Sequence, residues 1–116
     1  MPPEVLKLLN DIAAACQAVR RYAPNLSPEQ FENDVLLRSL VERQCEIVGE
    51  ALRRLERIAP QVFSQIRQAR RIVDFRNVIA HGYDSLDSTI VSQVVRLHIP
   101  ELLADVQTQL RGEPPA

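Results

Sequence analysis

One stretch of this chain gathers several reactive side chains: Arg76-Asn77-Val78-Ile79-Ala80-His81-Gly82-Tyr83. On a helix, Asn77 and His81 stand four residues apart and share a face. Arg76 lies five residues before His81, so its backbone position points roughly 140° away. A long guanidinium side chain can still sweep round that angle. Gly82 reads as a left-handed C-cap, and the turn there would fold Tyr83 back near His81. A helix C-terminus favours imidazolium and the nearby Arg76 opposes it, a balance that keeps His81 available both to accept and to donate a proton.

Such groups suit metal-independent RNA cleavage, in which the substrate's own 2′-hydroxyl attacks phosphorus. Arg76 would hold the phosphate and stabilise developing charge. The chemistry works best with two proton-transfer groups. The other histidine, His98, falls in a different helix with no polar sequence neighbours of the right kind. A twofold dimer would supply the second group by placing two copies of Arg76 and His81 across one cleft. Residue by residue, a plainer account also fits. A His before a capping Gly bonds the last carbonyls, an Arg on a helix is solvated, and a Tyr after a turn packs.

Four helical segments are expected to position these groups. The first runs from about Pro3 to Arg21, with Val5, Leu8, Ile12, Cys16 and Val19 at helical spacing. It stops where Pro24 disfavours helix for Ala23. Ser27-Pro28-Glu29-Gln30 has the form of a capping box. A long second helix spans about Asp34 to Arg57, with Leu37, Val41, Val48, Leu52 and Leu55 on its core stripe. A third opens at Ala59-Pro60 and runs through to His81. Asp87 is a plausible N-cap for the last helix, which Pro100 should kink or restart, and 111–116 reads as a frayed tail. The fold expected is a single all-α domain over residues 1–116, an up-and-down four-helix bundle. Both the Leu36/Leu40 and the Leu37/Val41 rows are apolar, which is more than one narrow seam needs. The excess serves either the bundle centre or a homodimer.

Composition excludes several other classes. Only three glycines are present, too few for the turns of an all-β domain. No apolar run approaches the roughly 20 residues of a membrane span. The N-terminus lacks a basic region followed by an apolar one, so no signal peptide is expected. Cys16 and Cys45 make no C-x-x-C pair and read as buried thiols in a reducing cytoplasm. Two His and two distant Cys give no metal-ligand spacing, and no cofactor is expected. The net charge of −1 conceals a gradient: residues 35–81 hold nine Arg against five acids, while both flanks are acidic. All basic side chains but Lys7 are Arg, which suits phosphate, although base composition of a genome would produce the same bias.

Arg76-x4-His81-x-Tyr83 resembles the R-x4-6-H signature of HEPN domains, in the R-x4-H-x-Y form of the HepT toxins. The similarity covers roughly Leu6 to Gln109. Phe31-x-x-Asp34, Ile47-Val48-Gly49-Glu50-Ala51, Phe75-Arg76-Asn77 and Ile99-Pro100-Glu101-Leu102 fit the same pattern in order and spacing. The resemblance implies a homodimeric four-helix bundle with metal-independent endoribonuclease activity. By that analogy Arg76 and His81 form the catalytic pair, and Asn77 helps set the site. It also implies a partner, an MntA-like minimal nucleotidyltransferase that acts as antitoxin by attaching AMP to Tyr83. A bulky anion there would occupy the phosphate site and exclude RNA. HEPN domains include inactive members, so two other readings stay open: a non-catalytic module that docks a nucleotidyltransferase or nucleotide, and a plain helical scaffold.

Overall fold

A computed structural model describes residues 1–80 and 87–112, and every regular element among them is helical. Helix α1 spans Pro3–Tyr22 and opens with proline in its first turn, where the missing N–H costs nothing. It closes at Ala23, ahead of Pro24. Asn25 then takes a left-handed turn (φ 53°), a conformation its short polar side chain tolerates. The expected capping box forms: Gln30 N–H donates to Ser27 Oγ at 3.1 Å, and Ser27 N–H donates to Gln30 Oε1 at 2.9 Å. It starts a short helix of its own, α2 (Pro28–Asn33), which the sequence reading had not separated.

Asp34 ends α2 and caps α3 (Val35–Ile58), accepting the Leu37 N–H at 3.0 Å. The stripe Val41, Cys45, Val48, Leu52 and Leu55 is fully buried along α3. Helix α3 packs against α1 and against α5 (Ala69–Ala80), and α1 also packs against α7 (Ile99–Arg111). Cys16 and Cys45 both lie in this core, and burial pushes each thiol up to about 12. They are inert at neutral pH. Leu36 begins one of the two apolar rows on α3 that were assigned to either the core or a partner. It is 83% exposed and the preceding Val35 is 62% exposed, so none of the described residues covers them.

The third predicted helix is in fact two. Helix α4 is Pro60–Ser64 and α5 is Ala69–Ala80, with a break whose Gln68 adopts φ 69°. No Gly or Pro marks residues 65–68, and Ile66, Ala69 and Val73 keep an apolar rhythm across them. The break is held from outside. Asp105 accepts the Arg67 backbone N–H at 2.8 Å and takes two further bonds from its guanidinium at 3.0 Å. Burial alone would raise the Asp105 carboxyl, but the Arg67 side-chain, backbone and charge contacts outweigh it and hold it below its ordinary value. A lowered carboxyl contributes stability that is complete at neutral pH and is lost as pH falls through the folded value. Asp105→Asn is therefore expected to melt below wild type at neutral pH, with the gap closing on acidification. Parallel thermal melts check this, and a gap that persists at acid pH would rule it out.

Asp87 caps α6 (Ser88–Gln93) as expected, accepting from the N–H groups of Thr89 and Ile90. The helical rod continues through Val94–His98 as a π-turn and then as α7 (Ile99–Arg111). The rod is continuous past Pro100, but its α-helical bonding restarts there as expected, with the proline in the first turn of α7. The ring at Pro100 would clash with the carbonyl four residues earlier, and the wider turn before it relieves that conflict. The Ile99 N–H accordingly reaches back five residues to Val94. Ser92, fully buried, donates to the Leu26 carbonyl at 2.6 Å and ties this rod to the loop after α1.

Candidate functional site

Arg76 lies on the face of α5 that packs against α3. What lets it sit there is Gly49. A β-carbon on that residue would overlap Arg76 Cβ, lie 2.5 Å from its Cγ and stand 3.4 Å from the Ile72 carbonyl oxygen. A glycine inside a helix costs about 0.5–1 kcal/mol relative to alanine, so its use here goes with the close approach of the two helices.

The Arg76 side chain is 23% exposed. Its Nη2 lies 3.3 Å from Glu50 Oε2, and its Nη1 donates to Asn77 Oδ1 at 3.4 Å. Its Nε is buried with no acceptor among the described residues. Arg76 and Glu50, but not Asn77, line a cleft of about 480 Å³ between α1 and α3, together with Asp11, Arg43, Glu46 and Arg54. A second cleft of about 430 Å³ adjoins it and shares Glu50 and Arg54, adding Arg53 and Arg57. Three Arg residues (Arg53, Arg54 and Arg57) thus stand exposed on α3 beside the Arg76 site.

Of the predicted site residues, the structure brings Arg76 and Asn77 together. His81 follows Ala80, the last residue of α5, and with Gly82 and Tyr83 lies outside the described residues. Glu50 is the residue that sequence reasoning missed. It was quoted within Ile47-Val48-Gly49-Glu50-Ala51 without a role. The available signal was Gly49, a glycine inside a strongly periodic helix, which marks close approach of another backbone. The view of His98 also changes. It lies near Arg71 of α5 and Glu101 of its own rod. Burial lowers its pKa, Arg71 lowers it further and Glu101 opposes both. Its Nδ1 is buried without a hydrogen bond. His98 is on a different element from Arg76 and does not line the Arg76 cleft.

Residues 12–108 match the sequence profile of the family described as "Ribonuclease HepT-like". The chain belongs to this family. Similar to it is "Putative RNase MJ1380" of Methanocaldococcus jannaschii, 25% identical over 104 residues that make 90% of this chain and 94% of that one. "Putative RNase TTE0752" of Caldanaerobacter subterraneus subsp. tengcongensis is 27% identical over 105 residues, 90% of this chain and 93% of that protein. The chain also matches 47% of a longer M. jannaschii protein, "Gamma-glutamylcyclotransferase and putative RNase MJ0434", at 24% identity. No solved structure matches. Among the described residues of this HepT-like chain, no helix is long and apolar enough to cross a membrane.

Proposed function

We propose that this HepT-like chain is a metal-independent endoribonuclease, the toxin of a toxin–antitoxin pair. The observation that carries the reading is Arg76, a guanidinium held by Glu50 and Asn77 at the mouth of a cleft, five residues before His81 in a family of ribonucleases. In this reading Arg76 grips the scissile phosphate and His81 transfers a proton, while Asn77 sets the guanidinium plane. The chain acts as one domain in the cytoplasm, a four-helix bundle that pairs with a second copy. The uncovered Val35 and Leu36 support that pairing. An MntA-like nucleotidyltransferase silences it by attaching AMP to Tyr83, which brings an anion to the residue beside the His81–Gly82 step.

The test is cleavage of a labelled structured RNA by purified protein in EDTA, beside His81→Ala. Wild type is expected to leave 2′,3′-cyclic phosphate ends and the variant to cleave at least about 100-fold more slowly. Wild type that is unmodified at Tyr83 by mass, yet no faster than the variant, would sink the nuclease reading.

One observation favours a second reading. The cleft carries Asp11, Glu46 and Glu50 against Arg43, Arg54 and Arg76, a balanced lining that suits a protein surface as well as it suits RNA. A non-catalytic module docking a nucleotidyltransferase through this cleft would bind that partner with or without His81.

A further inference from the structure

Cleavage by 2′-hydroxyl attack needs one group to take the hydroxyl proton and another to give a proton to the leaving oxygen. Resting on the ribonuclease reading above, we propose that Glu50 is the general base that takes the 2′-hydroxyl proton. Three carboxylates line the cleft, and two of them are engaged elsewhere. Asp11 pairs with Lys7 at 2.8 Å and Glu46 with Arg43 at 3.8 Å. Glu50 alone meets Arg76, at 3.3 Å through Oε2. Its side chain is 48% exposed, and it borders both clefts, so a ribose entering from either side reaches it.

Position follows from the helix pair. Gly49, the residue before Glu50, is the seat on which Arg76 rests, so the base and the phosphate-binding group are fixed by one contact between α3 and α5. A phosphate on the Arg76 guanidinium brings its own ribose 2′-oxygen to about 3–3.5 Å from phosphorus in an attacking geometry. A carboxylate ion-paired with the same guanidinium, at 3.3 Å, stands beside that hydroxyl.

The step balances without a further reactant. The 2′-O–H bond breaks and its proton passes to a Glu50 oxygen. The 2′-O–P bond forms as the P–O5′ bond breaks, and the departing 5′-oxygen takes a proton from His81. Glu50 then gives its proton to water and His81 takes one from water, which restores both groups with no net proton change.

Glu50→Gln separates this role from mere support of Arg76, because the amide keeps the shape and a polar face toward the guanidinium but cannot take a proton. The full chain is assayed in EDTA on a short RNA with a normal 5′-oxygen and on the same RNA with sulfur at the bridging 5′ position, which leaves without protonation. Glu50→Gln is expected to be at least about 100-fold slower on both substrates, with RNA affinity by anisotropy close to wild type. His81→Ala should be slow on the oxygen substrate and restored on the sulfur one. As a second variant, Glu50→Ala should recover part of its rate with added formate, which confirms a folded protein lacking only its base. Glu50→Gln cleaving within a few-fold of wild type, or regaining its rate on the sulfur substrate, would overturn the assignment while leaving the nuclease intact. Wild type inactive on both substrates would remove the nuclease and this role together.

Discussion

Arg76→Ala is expected to slow RNA cleavage by at least about 100-fold while barely changing the melting temperature. The two effects separate because the groups around Arg76 are arranged for charge more than for stability. Its ion pair with Glu50 is partly solvent-screened, with 23% and 48% of the two side chains exposed. A pair this open contributes at most about 1 kcal/mol. Truncation also removes the buried Nε that has no acceptor, and an unsatisfied buried donor costs on the order of 1–3 kcal/mol. The loss of packing by the aliphatic stem over Gly49 works in the other direction. These contributions nearly cancel, so stability stays close to wild type. Catalysis has no such compensation, since no other guanidinium is both fixed by Glu50 and Asn77 and set at this cleft. Arg76→Lys should fall between. It keeps one charge but loses the planar fork that can meet Glu50, Asn77 and a phosphate together. Cleavage rates and thermal melts on the same preparations check this. An Arg76→Ala protein that cleaves like wild type would leave Arg76 as a structural ion pair.

How much of this arrangement could be read from the sequence depends on how local its cause is. The caps at Ser27 and Asp87 were legible because each is a side chain bonding backbone two or three residues away, whereas Asp34 was read as the first helical residue and not as the cap between α2 and α3. The ends of α1 and α3 were legible because proline acts on its immediate neighbour. The break at residues 65–68 was not legible, since its cause is Asp105, thirty-eight residues on from Arg67. The π-turn fell between the two cases. Pro100 signalled a disturbance, but whether the rod would kink, stop or widen depended on how Val94, Val95 and Ile99 packed, and all three are buried. At the site, Arg76 and Asn77 were found through their neighbourhood to His81. Glu50 was not, because its partnership with Arg76 spans two helices and twenty-six residues.

The contact between those helices makes Gly49→Ala the most informative change to the fold. On an isolated helix this substitution would stabilise by about 0.5–1 kcal/mol. Here the added β-carbon meets Arg76 Cβ and Cγ, atoms fixed to the α5 backbone, so the helix must retreat as a body. Overpacking of this kind costs about 1–3 kcal/mol, which exceeds the propensity gain. Net destabilisation is therefore expected, and with it a loss of activity, since a shift of about 1 Å in a positioning element can cost on the order of 100-fold. The Gly49→Ala, Arg76→Gly double variant tests the cause. It removes the opposing β-carbon while keeping the added one, so the space is restored from the other side. Its stability loss should be smaller than the sum of the two single losses, a coupling that neighbours in contact show and distant sites do not. Denaturant unfolding of the four proteins measures it. Strict additivity would mean that α5 accommodates a β-carbon at Gly49 without moving, and that Arg76 is held at the cleft by its polar partners alone.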